Sequence, residues 1–148
     1  MDLVLPLDYT AIERILPHRF PFLFVDRIVE LVPDQRIVGI KNVAMNEPFL
    51  NRSGPTARPT LPTTILTEAV AQVGAILILA KPENRGQLIF FRGMERVRFR
   101  GPVHAGDQVV IEATVKRLRS RMGVLEGRAR VGKKVVVHGT MTFALGSE

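Results

Sequence analysis

The chain has 148 residues, 46% of them hydrophobic, which predicts one domain with a real core and excludes disorder. It has no Cys, so a disulfide framework and a thiolate nucleophile are excluded, and an intracellular, cytoplasmic protein is expected. A net charge of +7 points to an acidic partner, but 6% aromatics with no Trp supply no base-stacking platform, and nucleic acid is not expected.

The N-terminus, MDLVLPLDYT, lacks a basic stretch ahead of an apolar run, so no secretory signal is read. Asp8 or Thr10 can cap a short helix through Leu16, and Thr10 with Glu13 matches a capping box. Pro17 ends it. Phe22 to Leu31 is rich in strand formers, and Arg36 to Val43 alternates after the turn Pro33-Asp34-Gln35, which predicts a hairpin. His18, in the connector beside Arg19, reads as a hydrogen-bonded structural residue, with a ligand or base as the alternative. Residues 44–62 carry Pro48, Pro55, Pro59, Pro62 and Gly54 and read as a long loop, the kind of segment that often holds binding residues.

That loop runs into PTLPTTILTEAVAQVGAILIL, residues 59–79, around which the rest of the chain is organised. Thr63 or Thr64 is the expected N-cap. A helix apolar on every face is buried on every face. The segment is near the minimum length for a membrane span, about 17–20 residues, but Glu68 and Gln72 lie inside it and Lys81 follows. A buried core helix is expected, not a span. Glu68 and Gln72 are four apart and share a face. A carboxylate in an apolar helix is costly unless paired, hydrogen-bonded or facing a cavity. Glu68 is therefore either functional, pointing into a cavity near loop 49–60, or a structural Glu bonded to backbone or to Gln72.

After the turn KPENRG the chain is nearly all strand, at Gln87–Arg92, Arg96–Arg100, Asp107–Arg119, Arg121–Val131 and Lys134–Leu145. Val109, Ile111, Ala113 and Val115 alternate with more polar partners, the period of a half-buried strand. One long buried helix with five or six mostly antiparallel strands predicts a single α+β domain whose sheet wraps the helix. Such a sheet leaves an edge for a second subunit to cover.

The three His are far apart and no phosphate-cradling Gly motif occurs, so no metal and no cofactor are expected. Four stretches carry a family resemblance: ILPHRFPFLFVDRIVEL at 15–31, IKNVAMNEPFL at 40–50, LPTTILTEAVAQVGAIL at 61–77 and FFRGMERVRFRGPVHAGDQVVIEATV at 90–115. In order and spacing they resemble the (3R)-hydroxyacyl-acyl-carrier-protein dehydratases of bacterial fatty-acid synthesis, which have the hotdog fold. The resemblance implies a homodimer, often built into a hexameric trimer of dimers, with an acyl tunnel between subunits. It implies acyl carrier protein or coenzyme A thioesters as partners, and no membrane.

Dehydrating a 3-hydroxyacyl thioester needs a base for the C2 proton, an N–H donor for the thioester oxygen and an acid for the hydroxyl. In the family a loop His is the base, and a helix carboxylate of the other subunit handles the hydroxyl. By resemblance that carboxylate is Glu68, with Gln72, Phe49 and Thr56 as substrate-binding residues. The loop departs from the pattern. Members read F-x-G-H-F-P-x-x-P-x-x-P-G; this chain reads FLNRSGPTARPTLPT, with one extra residue and no His. The His position falls on Ser53 or Gly54. Three readings follow: a dehydratase with weak or lost activity, a non-catalytic acyl-thioester-binding paralogue, and a hotdog thioesterase using Glu68.

Overall fold

The computed structural model describes residues 3–53 and 57–146. Helix α1 (Tyr9–Glu13) is followed by strands β1 (Arg27–Val32) and β2 (Arg36–Asn42), helix α2 (Thr63–Leu79), a 3₁₀ turn at Pro82–Asn84, and strands β3 (Leu88–Phe99), β4 (Gln108–Arg119), β5 (Met122–Val131) and β6 (Lys134–Gly146). The strands form one antiparallel sheet in the order β1-β2-β4-β5-β6-β3, with β1 and β3 at its edges.

Helix α2 lies against this sheet and is its core. From Ala69 to Leu79 every residue is buried, as an all-round apolar sequence requires. It packs on the inward set of the strands, including Ile37, Ile111, Ala113, Leu125 and Met141. The alternation at Val109, Ile111 and Ala113 is thus the core side of β4. The helix can approach closely because two strand residues have no side chain. A Cβ on Gly39 would stand 2.8 Å from Val73 Cγ2, and one on Gly127 would stand 2.6 Å from Val70 Cγ1.

The outer face of the sheet is held by charge. Arg36 donates to Glu112 Oε2 from Nε at 2.8 Å and also bonds Glu30, while Arg128 reaches Glu112 Oε1 at 2.8 Å. Burial, the largest single influence on the Glu112 carboxyl, pushes its pKa up. The hydrogen bond from Arg36 and the charges of Arg128 and Arg36 together outweigh it and hold the carboxyl below its ordinary value.

Local expectations are corrected at four places. Asp8 caps α1, its Oδ1 accepting from Ala11 N at 2.9 Å, so the Thr10–Glu13 box is not what closes it. The N-cap of α2 is Pro62, with no side-chain cap bond, because the helix begins at Thr63 itself. The expected strand over Phe22–Leu31 starts only at Arg27. The two expected strands at 87–92 and 96–100 are one, β3, which stays paired with β6 through irregularities between Phe91 and Gly93 and between Glu95 and Arg98.

Candidate active site

Gln72 is the fixed point of the site. It is buried on α2; its Oε1 accepts from Phe24 N at 2.8 Å, and its Nε2 donates to Phe22 O at 2.8 Å and Glu68 Oε1 at 3.0 Å. This explains why residues 22–24 form no strand: their polar groups are taken by a side chain of the helix instead of a ladder. The connector, which also carries His18, is thereby pinned to α2.

Glu68 stands one turn before Gln72 on the same face. Its Oε1 lies 3.6 Å from His18 Nε2, and the two side chains are 45% and 32% exposed respectively. His18, Glu68, Ala71, Ala75 and Phe91 border a cavity of about 70 Å³. The small residues Ala71 and Ala75, on successive turns of the helix, leave the space. Glu68 therefore does face a cavity. Its walls come from the 17–24 connector, β3 and β6, however, and no described residue of loop 49–60 contributes to them.

The loop is anchored elsewhere. Asn51 and Thr60 bridge its neck, with Asn51 N to Thr60 O at 2.8 Å, and Thr60 bridges onward to His104. Phe49 packs on Phe22 and Phe24, at 5.5 and 5.9 Å between ring centres. Glu47 pairs with buried Lys41 at 2.9 Å, and the Lys41 ammonium also lies over the Phe24 ring. Ser53 is exposed. Gly54 and Thr56 lie outside the described residues.

Of the sequence-predicted residues, the structure brings Glu68 and Gln72 together and places Phe49 on the same connector that Gln72 holds. It adds His18, which sequence reasoning took for a structural residue. The available signal was position: His18 sits in a motif stretch, immediately ahead of the Phe22–Phe24 segment that meets Gln72. The other two His are elsewhere. His104 lies in the turn before β4, its backbone N donating to Asp107 Oδ2, and His138 on β6 pairs in register with Arg98 and Arg128. Neither borders the Glu68 cavity. Among the described residues there is no group of three His, Cys, Asp or Glu placed to hold a metal, and no helix long and apolar enough to cross a membrane.

The FabA-like domain model matches residues 16–140, most of the chain. The chain belongs to the FabA-like family. It is 45% identical over 141 residues to the 3-hydroxyacyl-[acyl-carrier-protein] dehydratase FabZ of Streptococcus pneumoniae serotype 4, covering 95% of this chain and 99% of that one. Among solved structures, the dehydratase heterocomplex ApeI:P from Xenorhabdus doucetiae superposes with a TM-score of 0.81 at 21% identity, covering 99% of this chain and 94% of that chain. Cj0977, a sigma28-regulated virulence protein from Campylobacter jejuni, gives 0.71 at 17% identity over 94% of this chain and 90% of its own. At these identities the structural likeness speaks for the fold, and the fold of this family member is the hotdog: one antiparallel sheet around one central helix.

Proposed function

We propose that this chain is a (3R)-hydroxyacyl-acyl-carrier-protein dehydratase of fatty-acid synthesis, converting 3-hydroxyacyl thioesters to trans-2-enoyl thioesters. The observation that carries the reading is 45% identity to a FabZ dehydratase across 95% of this chain and 99% of the relative. The chemistry of the site supports it. Glu68 presents a partly solvated carboxylate to a small cavity, with Oε1 held by Gln72 and Oε2 in no hydrogen bond among the described residues, which suits it to proton transfer. The family resemblance assigns Phe49 and Thr56 to binding the acyl thioester, and Gln72 acts on substrate by holding Glu68. The net charge of +7 suits an acidic carrier protein, with coenzyme A thioesters as the smaller alternative. A homodimer in the cytoplasm, without metal or cofactor, completes the reading.

The absence of a His from the loop FLNRSGPTARPTLPT sets the rate. Ser53 is no general base near neutral pH, and losing such a group costs roughly 100- to 10,000-fold. Turnover slower than that of a relative with a loop His is therefore expected. The same loop favours a second reading, a paralogue that binds acyl thioesters without turning them over. Ultraviolet absorbance of crotonyl and 3-hydroxybutyryl thioesters separates the two. Appearance or loss of the conjugated double bond supports the dehydratase. Saturable binding with no turnover leaves the binding protein, and free thiol would indicate hydrolysis instead.

A further inference from the structure

The second residue of the Glu68 cavity has no part in the reading above, and its geometry is unusual. His18 Nδ1 is buried with no hydrogen-bond partner among the described residues. A proton there would be a buried donor without an acceptor, which is costly. The ring proton therefore belongs on Nε2, the nitrogen that faces Glu68. At 3.6 Å from Oε1, that N–H is too far for a good hydrogen bond to the carboxylate. It is a donor beside the cavity, in no hydrogen bond among the described residues. The cavity, about 70 Å³, has room for a hydroxyl group or one or two waters, each of which takes about 30 Å³ in the liquid.

Resting on the dehydratase reading, we propose that His18 is a catalytic residue of this chain: its Nε2–H binds the 3-hydroxyl of the substrate in the cavity beside Glu68 and stabilises that oxygen as it leaves. With no loop base, Glu68 carries the proton for both halves of the reaction in sequence. Its carboxylate takes the proton from C2, and the C–H electron pair moves into the thioester enolate. The enolate then forms the C2–C3 double bond as the C3–O bond breaks. The departing oxygen takes the proton from the Glu68 carboxyl and leaves as water. Glu68 is a carboxylate again, and His18 has donated a hydrogen bond throughout without giving up its proton. The two roles of Glu68 follow one another at one oxygen, so opposite protonation states are never needed at once. What the second step lacks is a fixed position for the hydroxyl, and His18 supplies it.

The test compares wild type with His18→Ala, His18→Phe and His18→Gln. The first two remove the donor, one leaving space and one filling it, so that a folding failure of either leaves the other to be measured. Gln keeps an N–H near the Nε2 position. Each is assayed for dehydration of 3-hydroxybutyryl thioester and, in deuterated water, for exchange of the C2 proton. The expected result is a loss of about 100-fold in dehydration for the donor-less variants, as for the removal of one preorganised donor. At least tenfold of it should return in His18→Gln, and C2 exchange should persist in all three. Dehydration within about twofold of wild type in a folded donor-less variant overturns the proposal. So does joint loss of exchange and dehydration without recovery in His18→Gln, which makes His18 structural. Wild type with no dehydration at all removes the dehydratase reading and this proposal together, an outcome distinct from either of those.

Discussion

At the scale of single residues, most of the site's precision rests on two buried polar groups. Gln72 satisfies one backbone donor and one backbone acceptor of the connector and also holds Glu68. Gln72→Leu keeps the bulk but strands Phe24 N and Phe22 O, and an unsatisfied buried group costs about 1–3 kcal/mol. A loss of about 2 kcal/mol or more is expected in urea denaturation, with activity falling further because Glu68 and His18 are released together. The second group is the Lys41–Glu47 pair, with side chains 6% and 10% exposed. Lys41→Met leaves a buried unpaired carboxylate and is expected to cost roughly 3–5 kcal/mol. The double variant Lys41→Met/Glu47→Leu is expected to regain most of that loss, because an apolar pair of similar volume also fills the site. Equal losses in the single and double variants, by urea denaturation, would count against this account. Glu68 was legible in the sequence because a lone carboxylate in an apolar helix is conspicuous. His18 was not, because its meaning depends on a contact across fifty residues that no local period encodes.

At the scale of elements, the strands were legible wherever one face is buried. Residues 109–115 alternate because β4 has α2 on one side only. The misreading at β3 has the opposite cause. As an edge strand with most residues exposed, it has no buried set to enforce alternation. Its irregularities at 91–93 and 95–98 shift the pattern while the pairing with β6 continues. The segment 22–26 was misread because its apolar run satisfies a helix side chain and a ring cluster, not a neighbouring strand. Across β2, β4 and β5 the Arg36–Glu112–Arg128 cluster joins three strands, and its effect is pH-dependent. The folded pKa of Glu112 is lowered. Its contribution is therefore complete above the unfolded carboxylate value of about 4.3, and it fades as pH falls through the lower folded value. Glu112→Gln is expected to lose about 1 kcal/mol at pH 7 for this half-solvated cluster. The gap from wild type should narrow as the pH falls below the unfolded value of about 4.3 and towards the lower folded one. Thermal melts across that range check it; a gap that stays constant would mean that packing, not charge, is what the substitution removed.

At the scale of the whole molecule, the unpaired side of β3 is the feature a single chain leaves unfinished. The strand is twelve residues long, and Phe90 and Phe99 are about half exposed. Long edge strands with apolar side chains invite pairing with another chain. The occupant that best fits is a second copy, because a two-fold axis lets the same edge serve both sides. Antiparallel pairing about the middle of β3 would bring Met94 of one copy near Met94 of the other. It would also wall in the Glu68 cavity, since Phe91 and Ile89 of β3 already form part of its lining. Two expectations follow from one geometry. Light scattering at micromolar concentration should give at least twice the chain mass of 16.5 kDa. Met94→Glu should then dissociate the pair, because it sets two carboxylates opposite each other, and activity should fall in parallel with the dimer fraction. Met94 is 40% exposed in the single chain, so the substitution should leave the fold of each chain intact, as circular dichroism would show. A monomeric wild type would sink the pairing outright. A monomeric Met94→Glu with undiminished turnover would keep the dimer but free the site from it, and the cavity beside Glu68 would then have to be complete within one chain.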